Sequence, residues 1–131
     1  MLLSSQEHKI WHKLCESIID SNQKICYVAI VNSMGRLLES KDDSGVIGCL
    51  SGIQQDMFFM EYALRQMMRN EFDNEFGSVR FTYAEREKEA LFSFPLDRLL
   101  VVVACPIDID PKSVSKKIIS IIDEYKIKLD K

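Results

Sequence analysis

Two nearly unbroken apolar runs constrain this chain more than any other feature: Lys24-Ile25-Cys26-Tyr27-Val28-Ala29-Ile30-Val31 and Leu99-Leu100-Val101-Val102-Val103-Ala104-Cys105. Both are rich in β-branched side chains and show no polar alternation. A strand of that kind is covered on both faces, so the two runs belong side by side in the middle of a sheet with further layers above and below. Neither run approaches the ~20 apolar residues of a membrane-spanning helix.

The rest of the chain supplies those layers. From about Gln6 to Asp20, Ile10, Trp11, Leu14 and Ile18 fall on one stripe at the helical period, which predicts an amphipathic helix ended by Ser21-Asn22. After the first apolar run, Asn32-Ser33-Met34-Gly35 turns the chain and Arg36 to Ser40 returns as a short strand. Lys41 to Ser51 is polar and reads as a loop, with Ser51 as N-cap of a helix from about Gly52 to Phe72. Asn74 to Gly77 interrupts the pattern. Val79, Phe81 and Tyr83 alternate with polar residues, and Ala90, Phe92 and Phe94 do so less strictly, which predicts a hairpin across the charged tip Glu85-Arg86-Glu87-Lys88-Glu89. Pro95 to Arg98 turns into the second apolar run, and Asp110-Pro111 opens a last helix. The predicted order is α-β-β-α-β-β-β-α, an α+β fold with a five-stranded, mainly antiparallel sheet and helices packed on it. With 131 residues and no linker or repeat, the chain reads as one domain over 1–131.

The middle helix is the most informative segment. Ile53, Met57, Met60, Leu64, Met67 and Met68 lie within one stripe, which is expected to pack on the sheet. Phe58, Phe59 and Tyr62 fall roughly opposite, beside Gln55, Arg65, Gln66 and Arg69. Three aromatics flanked by arginines have the composition of a protein contact surface. The expected interface is therefore Phe58, Phe59, Tyr62, Arg65 and Arg69, with Phe81 on the following strand.

The order of elements and the residues at its joints resemble a roadblock/LC7-type domain. The resemblance rests on the hairpin Val28 to Leu38, the long helix after a polar loop, and the strand pair through Phe94-Pro95-Leu96-Asp97-Arg98-Leu99 to Val103. It covers residues 24–131, with 1–22 as an added helix, and extends to small archaeal proteins of the same layout. It implies a central sheet between helices, a homodimer through the long helix and the segment Ser78 to Ala84 that makes one continuous sheet, and work as a scaffold or a regulator of a small GTPase or motor. The added helix is placed to cover the dimer face. A small-ligand sensor of PAS or profilin-like type shares the coarse layout and is the alternative, distinguished by an apolar cavity under Met57, Met60 and Leu64.

Catalytic and metal chemistry find little support. No phosphate-loop or dinucleotide fingerprint is present. Gly45, Gly48 and Gly52 precede a helix N-terminus without a lysine placed to follow. His8, His12 and Glu16 recur at four-residue spacing on the polar side of the first helix, where exposed polar residues are expected anyway. Neither histidine is placed beside a nucleophile, and Asp42-Asp43, Asp108 and Asp110 read as turn and cap residues. The four cysteines, Cys15, Cys26, Cys49 and Cys105, form no close pair. A net charge of -3 offers no basic field for nucleic acid or an anionic membrane. The N-terminus lacks the pattern of a secretory signal, so a cytoplasmic, non-catalytic protein without cofactor or metal is expected.

Overall fold

The computed structural model describes residues 5–43 and 50–129, with side chains to residue 126. Its elements run α1 (Ser5–Asp20), β1 (Tyr27–Val31), β2 (Leu37–Asp42), α2 (Gly52–Asn70), α3 (Asp73–Phe76), β3 (Thr82–Glu85), β4 (Ala90–Leu96), β5 (Leu99–Cys105) and α4 (Pro111–Leu129). The five strands form one sheet in the order β2-β1-β5-β4-β3, with every neighbouring pair antiparallel. The two apolar runs are β1 and β5, paired from Tyr27 opposite Ala104 to Val31 opposite Leu100. They sit at the centre of the sheet because only there does a strand without polar residues find cover on both faces.

One face of the sheet carries Val28, Ile30, Phe92, Phe94, Val101 and Val103 into the larger core. It is closed by Trp11, Leu14 and Ile18 of α1 and by Val114, Ile118 and Ile122 of α4. The Ser17 and Tyr125 hydroxyls bond at 2.9 Å and tie these two helices together. The other face carries Tyr27, Ala29, Val31, Leu91, Leu100, Val102 and Ala104. Among the described residues α2 is its one helical cover. The added helix α1 thus lies across the sheet from α2 and leaves the outer side of α2 open.

Four local expectations shift. The strand β3 begins at Thr82, not Val79, and a short helix α3 follows α2. β4 continues through Pro95 and Leu96, so the turn contracts to Asp97-Arg98, with Asp97 at φ 55°. Pro95 is tolerated because β3 stops at Thr82 opposite Ser93, which leaves Pro95 with a partner strand on one side. β2 extends to Asp42, and the loop residues Gly45, Gly48 and Cys49 lie outside the described residues.

The helix caps follow the sequence closely. Ser51 accepts a hydrogen bond from the Gln54 amide while the Gln54 side chain accepts one from the Ser51 amide, a reciprocal capping box at the start of α2. Asp110 accepts from the Lys112 amide at 3.2 Å where α4 begins.

Candidate functional site

The orientation of α2 reverses the sequence expectation. Phe59, at 2% exposure, and Ala63 are buried, and Phe58 and Tyr62 pack partly under the helix against the sheet. Ile53, Met57, Met60, Leu64, Met67 and Met68 all face outward, between 55% and 75% exposed. Both stripes of this helix are apolar, so hydrophobicity does not choose between them. The receiving surface does. Phe59 joins Tyr27, Ala29, Val31, Leu91, Leu100, Val102 and Ala104 in the core on this face of the sheet. Phe58 meets Phe59 and Tyr62 edge-on, with ring centroids 5.2 Å apart in each pair.

A second contact fixes the helix. The β1–β2 turn reaches α2 at Gly35, whose φ is +82°. A Cβ on Gly35 would lie 2.7 Å from the Met60 Cα and 2.9 Å from its amide nitrogen. Glycine is needed here both for the dihedral and for the close approach of two backbones.

Between α2 and the β3–β4 hairpin runs an open groove of about 1040 Å³. Its apolar wall includes Phe58, Tyr62 and Leu91, and Arg65, Arg69 and Arg86 stand on its rim. Arg65 Nε lies 3.5 Å from Glu61 Oε1, an exposed pair that adds little stability. Arg69 and Arg86 make no ion pair among the described residues. Burial pushes the Tyr62 hydroxyl above its usual pKa, with Glu61 acting in the same direction and Arg86, Arg65 and Arg69 opposing. Burial likewise raises Glu89 on the far wall.

The expected interface residues are therefore divided. Phe58, Tyr62, Arg65 and Arg69 meet along the groove. Phe59 is turned into the core, because one side of an apolar helix must seat against the sheet. Phe81 leans the other way and stacks on Phe94, 6.1 Å between centroids, on the side of α1 and α4. The six residues expected to pack on the sheet instead make an exposed apolar row, the longest among the described residues, extended past the end of α2 by the stacked pair Phe72 and Phe76. The unusual density of methionine in that row was the signal available in sequence. Met57, Met60 and Leu64 point outward, not over a hollow against the sheet, and Met57 also borders the open groove beside Phe58 and Tyr62. In the first helix, His12 Nε2 lies 3.0 Å from Glu16 Oε1 and its Nδ1 4.0 Å from Glu39. No group of three potential metal ligands occurs among the described residues.

The fold these elements define is that of roadblock/LC7 domains. A roadblock/LC7 domain from Streptomyces avermitilis superposes with a TM-score of 0.70 at 11% identity, covering 92% of this chain and 98% of that one. Myxococcus xanthus MglB does so with a TM-score of 0.77 at 15% identity, covering 99% and 95%. A Schizosaccharomyces pombe profilin shares the layout at a TM-score of 0.63 and 16% identity, covering 87% and 94%. By sequence the chain belongs to a family of unknown function, DUF6659, which it matches over residues 6–130. No curated protein matches it.

Proposed function

We propose that this protein is a non-catalytic interaction module that self-associates through the outer face of α2 and the free edge of β3. The observation that carries the reading is the row Ile53, Met57, Met60, Leu64, Met67 and Met68, which lies open to solvent on a helix of 19 residues. A row of that length on a helix about 28 Å long is more than scattered surface hydrophobicity. Each side chain is roughly half covered already, so full covering gives roughly 1 kcal/mol apiece, or roughly 12 for two copies. Association costs about 4–15 kcal/mol in lost freedom. The helix row alone therefore makes a marginal dimer, and antiparallel pairing of two β3 edges supplies the remainder. That edge has no partner strand among the described residues, stands next to α2, and joins two sheets into one. One related structure is described as MglB in a tetrameric arrangement, which fits self-assembly on this fold.

The working site is the cytoplasm, consistent with buried, non-disulfide Cys15 and Cys105 and with no described helix long and apolar enough to cross a membrane. The roadblock likeness adds a small GTPase as the heterologous partner to assay once the self-interface is mapped.

Molar mass by light scattering across a dilution series tests the reading. The chain should remain dimeric to about 1 µM. Leu64→Glu should be monomeric at every concentration with an unchanged far-ultraviolet circular dichroism spectrum. A monomeric parent chain refutes the proposal. In that case the open groove beside Phe58 and Tyr62 becomes the leading feature and favours a small-ligand sensor.

A further inference from the structure

The chain has six methionines, and none of the described ones enters the core. Met57, Met60, Met67 and Met68 share the outer face of α2, and Met34, 80% exposed, sits in the turn that abuts Met60 through Gly35. This inverts the usual role of methionine, which fills irregular gaps inside proteins. Here valine, isoleucine and phenylalanine fill the core. A row of leucines would offer the same apolar area for docking. What the thioethers add is a reactive sulfur held where a dissolved oxidant reaches it.

We propose that this row is a modification site at which an oxidant of the hydroperoxide class makes methionine sulfoxides and thereby dissociates the self-associated protein. The sulfur lone pair attacks the terminal peroxide oxygen. The S–O bond forms as the O–O bond breaks, the sulfur loses two electrons, and hydrogen peroxide leaves as water. The product is polar and a strong hydrogen-bond acceptor, so packing it against an apolar row carries the cost of an unmatched buried polar group. Each sulfoxide buried in the contact should weaken association roughly tenfold or more. The dimer shields the row, so oxidation runs through the monomer and quickens on dilution. Methionine sulfoxide reductases return the thioether, which makes the change reversible.

This inference rests on the self-association proposed above, and the experiment separates the two. The chain is treated with hydrogen peroxide, mapped by peptide mass spectrometry, and weighed by light scattering beside the variant M57L/M60L/M67L/M68L. The expected result is oxygen addition at the α2 methionines, faster in dilute protein, conversion of dimer to monomer, and recovery with the reductases. The leucine variant should stay dimeric in peroxide. Oxidised protein that associates as tightly as untreated protein overturns the switch and leaves the dimer standing. Dissociation of the leucine variant by peroxide also overturns it, because the effect then lies outside the α2 methionines. An untreated chain that is monomeric throughout removes both readings.

Discussion

Gly35→Ala probes the seat of α2 directly. The new Cβ would lie 2.7 Å from Met60 Cα, 2.9 Å from Met60 N and 3.1 Å from the Phe59 carbonyl carbon. All three neighbours are backbone, so no side chain can swing aside. Carbon contacts settle near 3.5–4.0 Å, so the helix must lift by roughly 1 Å, drawing Phe59 out of its pocket. Overpacking of this kind costs about 1–3 kcal/mol, and a non-glycine residue at positive φ costs about 1–3 more. Gly77→Ala is the reference. It has the same φ of +82° but nothing within 4 Å of the added carbon, so it carries only the dihedral cost. Equilibrium urea unfolding followed by circular dichroism, at one fixed protein concentration, measures both. With m of about 1–3 kcal/mol/M, a loss of about 3 kcal/mol lowers the Gly35→Ala midpoint by about 1–3 M. A Gly35→Ala midpoint no lower than that of Gly77→Ala would refute the argument that the β1–β2 turn pins the helix.

Two further outcomes follow from burial. Phe59→Ala should cost about 3–5 kcal/mol in urea unfolding of the dilute protein, whereas Leu64→Ala should fall within about 0.5 kcal/mol; the opposite ranking would restore the helix phase expected from sequence. Burial pushes the Cys15 and Cys105 thiols from 9.0 up to about 12, with Glu39 and Glu16 adding at Cys15 and Cys26 and Glu89 at Cys105. A raised folded-state pKa stabilises fully below the unfolded value and is lost as pH rises through the folded one, so stability should decline between about pH 9 and 12. Cys15→Ala should flatten that decline by about 1.4 kcal/mol per pH unit, read from urea midpoints across the range; an unchanged slope would mean Cys15 is not buried in the native state.

The central strands were readable because a strand buried on both faces cannot hide its composition. The caps were readable for a related reason. Ser51 with Gln54, and Asp110 before Pro111, satisfy orphan amides that every helix start exposes, whatever lies around it. The late start of β3 and the extension of β4 through Pro95 were not readable, because strand ends depend on where the neighbouring strand stops. The residues expected to form an interface do not share one face of the structure. Phe58, Tyr62, Arg65 and Arg69 do converge, but beside a groove, while Phe59 is core and Phe81 belongs to the opposite face of the sheet.

The sequence by itself determined the sheet, its two central strands, the placement of its helices along the chain and the unusual apolar content of α2. Each follows from local chemistry: β-branched runs, helical periodicity, capping side chains and glycine at a tight turn. Only the tertiary structure decided which side of α2 faces water. An apolar helix with two apolar stripes has two nearly equivalent ways to lie on a sheet, and periodicity carries no information about the receiving surface. The sheet face that takes Phe59 into its core, and the Gly35 backbone against Met60, make that choice. They lie far from α2 in the chain or on another element, and only the fold brings them together.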